Sequence, residues 1–407
     1  MSGIGNIISQ TARVASIDPP DVGEWSCPRQ VPAEIPAGFA GGAPVPELSK
    51  ERLERYLTAL FGAPAAVTAL VSLHESRASG AAKEYGYGHP VKVEFTVGGK
   101  PRAAVLETTS PGPFGHEHMA DRARMMLWDH GAYNALPRHV RSLDVGAFDR
   151  EGNLLSAGNA EEFFLLVDHI EGAGYIRDIA RLQEGEALRD LDLSRADALC
   201  DYLVEIHAVR GPGPGLYTRR IRELLGDGEC IMGLCDSYPL PHGFITAALL
   251  EEIERRCVTW RWRLKGRTDR LRQVHGDYHP FNILFREGVD FTVLDRSRGE
   301  WGEPADDVTA LTGNYLFASL QASGRLEGPF ETLFRRFWDR YLERTGDGGI
   351  LETAPPFFAF RCLVMASPVW YPSLDESVRR KLFSFMISTL DAPRFDPERV
   401  NGSLDVL

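Results

Sequence analysis

The chain has 407 residues, of which 43% are apolar and 25% charged, with a formal net charge of −12. That is a globular composition, long enough for two cores or two lobes. The acidic balance argues against a nucleic-acid partner, because proteins that bind nucleic acid gather positive charge on the binding face.

The Pro-, Gly- and Ala-rich residues 1–46 have little periodicity and are expected to form an extended arm. Met1 to Val14 lack a cationic start followed by a long apolar core, so a signal peptide is not expected. No run approaches the ~18 apolar residues of a membrane span, which points to a cytoplasmic protein without a membrane partner. A helix is expected from Ser49, with Leu53, Tyr56, Leu57 and Leu60 on one stripe and Gly62 and Pro64 ending it. Strand-like alternation follows at 65–73, 91–97 and 102–108, with Gly98 and Gly99 as a hairpin turn and a glycine-bearing loop over 74–90.

A helix is expected over 115–132, and the apolar run "FFLLVDHIEG" (163–172) reads as a buried strand ending in a turn. From Leu193 the pattern is mostly helical, with further helices over 243–265, 305–322, 329–344, 356–366 and 375–390. Arg255 to Arg272 form a basic stretch next to Glu251, Glu252 and Glu254, read as a solvated helix face. The cysteines, Cys27, Cys200, Cys230, Cys235, Cys257 and Cys362, are too scattered for a disulfide framework. Cys230, Cys235 and His242 lack a second ligand pair and do not read as a zinc site.

One stretch, "QVHGDYHPFNILF" (273–285), interrupts the helical half. His275-Gly276-Asp277 is followed five residues after the Asp by Asn282, then by a short strand, a hairpin through "REGVD" and a second strand "FTVLD" ending at Asp295. The protein-kinase catalytic loop H-x-D-x-x-x-x-N has the same Asp-to-Asn spacing, followed by a strand pair that presents a metal-binding Asp. Phosphoryl transfer needs one carboxylate at the attacking hydroxyl, and an amide oxygen and a second carboxylate to hold Mg²⁺ on the phosphates. Asp277, Asn282 and Asp295 are that oxygen set. A polar turn between two strands would use the same residue types, but the full pattern, preceded by a β-rich part and a hinge-like strand, favours the catalytic reading.

"HGDYHPFNILF" together with "VLDRSRGEWGEPADDVTAL" resembles the aminoglycoside phosphotransferase and choline kinase group, small-molecule relatives of the protein kinases. The likeness runs over about residues 50–390, with its specificity in 273–310. It implies an α+β, bilobal protein-kinase-like fold: a small β-rich nucleotide-binding lobe over 47–172, its hinge at the end, and a mostly helical lobe over 173–407. It further implies Asp277 as catalytic base, Asn282 and Asp295 as Mg²⁺ ligands, His275 as a structural residue, and Asp307 as a capping or loop-bracing carboxylate. "LLVDHIEG" looks like the hinge, where Asp168 and Ile170 would offer backbone groups to the nucleobase and Val167 would line the pocket.

Two departures stand out. Glu107 occupies the place where the family carries the third-strand Lys that binds phosphates, and a carboxylate there repels them. Either the strand register is displaced, or the cation comes from Lys83, Lys92 or Arg102, or the chain binds nucleotide weakly. Glu117 and Asp121 are candidates for the usual acidic partner of that Lys. The Gly-rich loop is approximate: Gly86 and Gly88 are present, but Val91 stands where a third Gly would complete the pattern.

The expected function is Mg²⁺-dependent transfer of a phosphoryl group from ATP or GTP to a hydroxyl of a small molecule. The alternatives are a catalytically impaired nucleotide-binding scaffold, motivated by Glu107, and nucleotidyl transfer. The aromatic stretch 355–372 reads as helix core, with Arg361 and the Trp370–Tyr371 pair worth attention near the acceptor. The acceptor and the oligomeric state are not legible.

Overall fold

The computed structural model describes residues 48–73, 88–112 and 115–407. The expected arm over 1–46, and the loop residues Lys83 and Gly86, lie outside these. Ser49 opens helix α1 (Lys50–Phe61) by accepting the Arg52 amide, and Gly62 at φ 64° closes it in the left-handed conformation. Strands β1 (Ala65–Ser72), β2 (Val91–Val97) and β3 (Lys100–Leu106) pair antiparallel in that order. The β2–β3 turn places Gly98 and Gly99 at φ 54° and 79°, the two positive values a tight hairpin needs. Val93 and Phe95 on one face of β2 bury with Val67 against Leu53 and Leu57, a small core separate from the main one.

Helix α2 (Met119–Ala135) begins four residues after the expected start and buries none of its residues. A hairpin of β4 (Gly146–Phe148) and β5 (Leu154–Ser156), not foreseen, is tied to α1 through Asp144, which accepts from the Tyr56 and Ser156 hydroxyls and the Gly158 amide. The expected buried strand over 163–172 is not formed. Phe164 is 91% and Leu166 88% exposed, Val167 and Asp168 are exposed, and Ile170 is half-buried. The reason lies in pairing: β3 bonds to β2, and β4 and β5 bond to each other, so the apolar run joins no ladder. Pairing starts only at β6 (Ala173–Gly174), which lies beside Phe285 and Leu284.

The rest is helical: α3 (Ile176–Gln183), α4 (Asp190–His207), α5 (Pro214–Gly226), α6 (Ile231–Ser237) and α7 (Ala247–Leu264), then α8 (Pro304–Ser323), α9 (Gly328–Thr345), α10 (Ile350–Ala366) and α11 (Glu376–Asp391). Between α7 and α8 lie the short strands β7 (Arg272–Gln273), β8 (Ile283–Phe285), β9 (Phe291–Val293) and β10 (Trp301–Gly302). Helix α8 is buried almost all round, packed by α9, α10, α11 and α3. Helix α10 starts six residues before the expected 356, with Pro355 and Pro356 inside it. Pro355 has no N–H for the Leu351 carbonyl, and the Phe395 amide supplies that bond at 2.7 Å.

Arg255 and Arg256 do form solvated pairs with Glu251 and Glu252. Arg270, grouped with them in the sequence, is instead buried: it donates to both oxygens of Glu303 and to Asp347. Glu303 is fully buried and also accepts from the Tyr217 and Thr353 hydroxyls, so α5, α8 and α10 meet on one carboxylate. Among the described residues no helix is long and apolar enough to cross a membrane. Arg270→Met should lower the unfolding free energy by about 3–5 kcal/mol, because it strands a buried carboxylate. Arg270→Met with Glu303→Leu should recover much of that loss in urea denaturation.

Candidate active site

The stretch 273–285 is positioned from both ends. At its start, β7 pairs with β10 and the Val274 amide bonds to the Glu300 carbonyl. At its end, β8 pairs with β9 and the Leu294 amide donates to the Asn282 carbonyl at 2.8 Å. Between them Gly276 sits at φ 87°, and a Cβ there would lie 3.1 Å from that of Arg298. The positive φ favours glycine, and the close approach of Arg298 leaves little room for a side chain.

Asp307, on the first turn of α8, accepts the His275 amide at 2.8 Å and the Gly276 amide at 2.7 Å. His207 lies 3.1 Å from the same carboxylate and bonds through its other nitrogen to the Tyr341 hydroxyl. Asp307 is thus the expected loop brace. His275 is buried, and its Nδ1 accepts the Asp277 amide, in keeping with a structural role. Burial holds the pKa of His275 below its usual value, against the pull of Asp307.

The Asp277 carboxylate has two unlike sides. Oδ1 accepts from Arg361 Nη1 at 2.7 Å, with Arg298 Nε at 3.9 Å. Oδ2 lies 3.3 Å from His279 Nε2 and 3.4 Å from Asn282 Nδ2. Burial by itself would raise the pKa of this group, but the His279 hydrogen bond and the charges of Arg361 and Arg298 outweigh it and keep the carboxylate ionised. Asn282 Nδ2 also donates to the Asp277 carbonyl at 3.0 Å. Its register opposite Leu294 places Asn282 next to Asp295, which is exposed and takes the left-handed φ of 50°. The side chain of Asp295 makes no hydrogen bond or ion pair among the described residues.

A cavity of about 610 Å³, within the range of small-molecule sites, lies between the start of α2, helix α5 and the 296–301 loop. Its walls include Asp121, Arg219, Glu223, Cys230, Arg298 and Trp301. Arg298 links the cavity to Asp277. The expected acidic partners, Glu117 and Asp121, both bind Arg219 of α5, at 2.7 and 2.6 Å.

At the other end of the expected reaction, Glu107 lies exposed just past β3. Lys92 is paired with Glu94, and Arg102 lies over the Phe61 ring. Gly88 makes a single bridge to Thr109. Among the described residues, no group of three or more His, Cys, Asp or Glu side chains is arranged to hold a metal. Cys230 and Cys235 are buried free thiols, pushed up to about 11 and about 12 by burial.

The model of the phosphotransferase enzyme family matches residues 104–345, more than half of the chain. The chain belongs to this family. It is a phosphotransferase, and the family resemblance seen in residues 273–310 holds.

Solved structures similar to this phosphotransferase include amicoumacin kinase hAmiN in complex with AMP-PNP, Ca²⁺ and Ami, at 14% identity and TM-score 0.38, covering 86% of this chain and 98% of that one. A glucosamine kinase aligns at 16% identity and TM-score 0.34 over 88% and 96% of the two chains. The ADP-bound aminoglycoside phosphotransferase APH(2'')-Ib aligns at 13% and 0.31 over 84% and 98%. No curated protein matches the chain by sequence.

Arg298, Asp306 and Arg219 were not singled out in the sequence. Arg298 lies three residues after Asp295 in "DRSRGE", and a cation so close to an expected metal ligand was the available signal. Asp306 stands beside Asp307 in "PADDV", where two acids at a helix start invite separate roles.

Asp307 also sets an acid limit on stability. Burial raises its pKa, yet the hydrogen bond and charge of His207, with His275, lower it further, so the folded value lies below the unfolded one. Its stabilisation is therefore present above the unfolded pKa of about 4 and is lost as pH falls through the folded value. Asp307→Asn should lower Tm at pH 7, with the gap to wild type narrowing below about pH 4.

Proposed function

We propose that this phosphotransferase moves the terminal phosphoryl group of ATP or GTP, as its Mg²⁺ complex, to a hydroxyl of a small molecule held at Asp277. The observation that carries this reading is the arrangement of Asp277, Asn282 and Asp295 on one braced loop and hairpin. Asp277 is the catalytic residue: its carboxylate receives and orients the acceptor hydroxyl and accepts its proton. A carboxylate held this strongly in its ionised form is a weak base, so its work is mainly orientation, with proton transfer late along the reaction.

Asn282 and Asp295 are the metal ligands in this reading. The amide of Asn282 spends its N–H on Asp277, which leaves its carbonyl oxygen for a cation, and the exposed Asp295 supplies a carboxylate oxygen. Oxygen donors of this number suit Mg²⁺, which keeps water and phosphate oxygens for its remaining positions. When bound, the ion offsets charge on the phosphates. The nucleobase end is proposed at the backbone of Val167, Asp168 and Ile170, where the small lobe (47–172) gives way to the helical lobe (173–407). Gly86 and Gly88 would cover the phosphates.

Glu107 favours a second reading, a family member that binds nucleotide but transfers poorly, because Lys92 and Arg102 are engaged elsewhere. A nucleotide-consumption screen over alcohols, sugars and aminoglycosides separates the two: turnover supports the kinase, and Mg²⁺–ATP stabilisation without turnover supports the second. Asp277→Asn should lower kcat by about 10²–10⁴-fold while nucleotide still raises Tm. An unchanged kcat would sink the assignment of Asp277. Asp295→Ala and Asn282→Ala should each shift the Mg²⁺ dependence of that nucleotide stabilisation to higher concentration.

A further inference from the structure

Helix α10 is apolar and buried along nearly its whole length, and Arg361 is the one charged side chain buried in it. A guanidinium costs several kcal/mol to take out of water, so a buried one persists only where good partners hold it. Arg361 has three. Nη1 donates to Asp277 Oδ1 at 2.7 Å, and Nη2 donates to Asp306 Oδ1 at 2.7 Å and to the Gly276 carbonyl at 3.1 Å. Asp306 is itself held on its other oxygen by Arg220 of α5, at 3.3 Å. The Phe360 ring lies 4.6 Å from the Arg361 guanidinium, and the Arg298 guanidinium lies at the same distance from that ring.

This geometry selects between the two oxygens of Asp277. Oδ1 is taken by a short, charge-assisted bond from a group that is rigidly seated in a helix. Oδ2 keeps only the longer contacts to His279 and Asn282, and it is the oxygen left for an acceptor. The planar fork of Arg361 grips the carboxylate and the Gly276 carbonyl together, so it sets both the rotation of the Asp277 side chain and the backbone preceding it.

We propose that Arg361 is a positioning residue for phosphoryl transfer: anchored by Asp306, it turns Oδ2 of Asp277 toward the acceptor hydroxyl. This rests on the reading of Asp277 given above. Arg361 touches neither acceptor nor nucleotide in this scheme, so its removal should act on kcat and leave binding alone.

The test measures ADP release from Mg²⁺–ATP by the full chain, with water alone and with glucosamine or choline as acceptor, alongside Tm and nucleotide affinity. Arg361→Gln should lower kcat at least ten-fold, with the acceptor KM and the nucleotide Kd changed less than three-fold. Arg361→Lys keeps the charge and the fold but loses the fork, and its kcat should fall between wild type and Arg361→Gln. In an Asp277→Asn background, Arg361→Gln should cost less than a further two-fold, since the group it positions is already lost.

A role in folding alone predicts the opposite: a lower Tm with kcat per folded molecule unchanged, or a loss that multiplies in the Asp277→Asn background. Either result overturns the proposal. If Arg361→Gln does not fold, an Arg361→Lys enzyme with kcat within two-fold of wild type overturns it equally. Should Asp277→Asn be inactive while the Arg361 variants are fully active, this inference fails alone. No ADP release by the wild type, or equal release by Asp277→Asn, removes the reading of Asp277 on which it rests.

Discussion

The two backbone amides of His275 and Gly276 donating to the buried Asp307 carboxylate are the contact on which the candidate site depends. A loop that turns sharply through Gly276 leaves N–H groups with no ladder to join, and inside a protein such groups must find an acceptor. Asp307 supplies it from a helix that is buried almost all round. The loop therefore inherits the rigidity of α8, and Asp277, two residues later, is held with it. His207 and Tyr341 extend the brace to α4 and α9.

The start of α8 uses its other acids in the same way. Glu303 gathers α5 and α10 through Arg270, Tyr217 and Thr353. Asp306 joins Arg220 of α5 to Arg361 of α10. Three carboxylates within five residues thus reach three separate sets of partners, and negative charge is also favourable at a helix N-terminus. The candidate site is built beside these buried charges, each matched by an arginine or by hydrogen bonds.

The small lobe is held differently. Its core is a handful of side chains between α1 and β1–β3, and α2 buries nothing. What ties α2 to the helical part is Arg219, which binds both Glu117 and Asp121. These two acids, at and just before the start of α2, pair with a cation of α5.

Legibility followed sequence distance. Asp277, Asn282 and Asp295 fall within one loop and hairpin, so their spacing alone brought them together, and "PADDV" announced Asp307 as a brace. The two-glycine turn, the Ser49 cap and most helices were equally local. Where partners lay far off, the sequence was silent or misleading. The apolar run at 163–172 had the composition of a strand, but a strand exists only by pairing, and no ladder receives it. Arg270 was one more cation in a basic stretch until Glu303 and Asp347 surrounded it.

Arg219 shows the same division, reaching Asp121 across 98 residues, and Arg361, which the sequence marked for attention, finds Asp277 across 84 residues only in the fold. The sequence by itself determined the family and brought Asp277, Asn282 and Asp295 together, because a loop and its hairpin are built from neighbours. Only the tertiary structure decided which oxygen of Asp277 an arginine takes, since that depends on a guanidinium delivered by a helix the spacing of the motif does not reach.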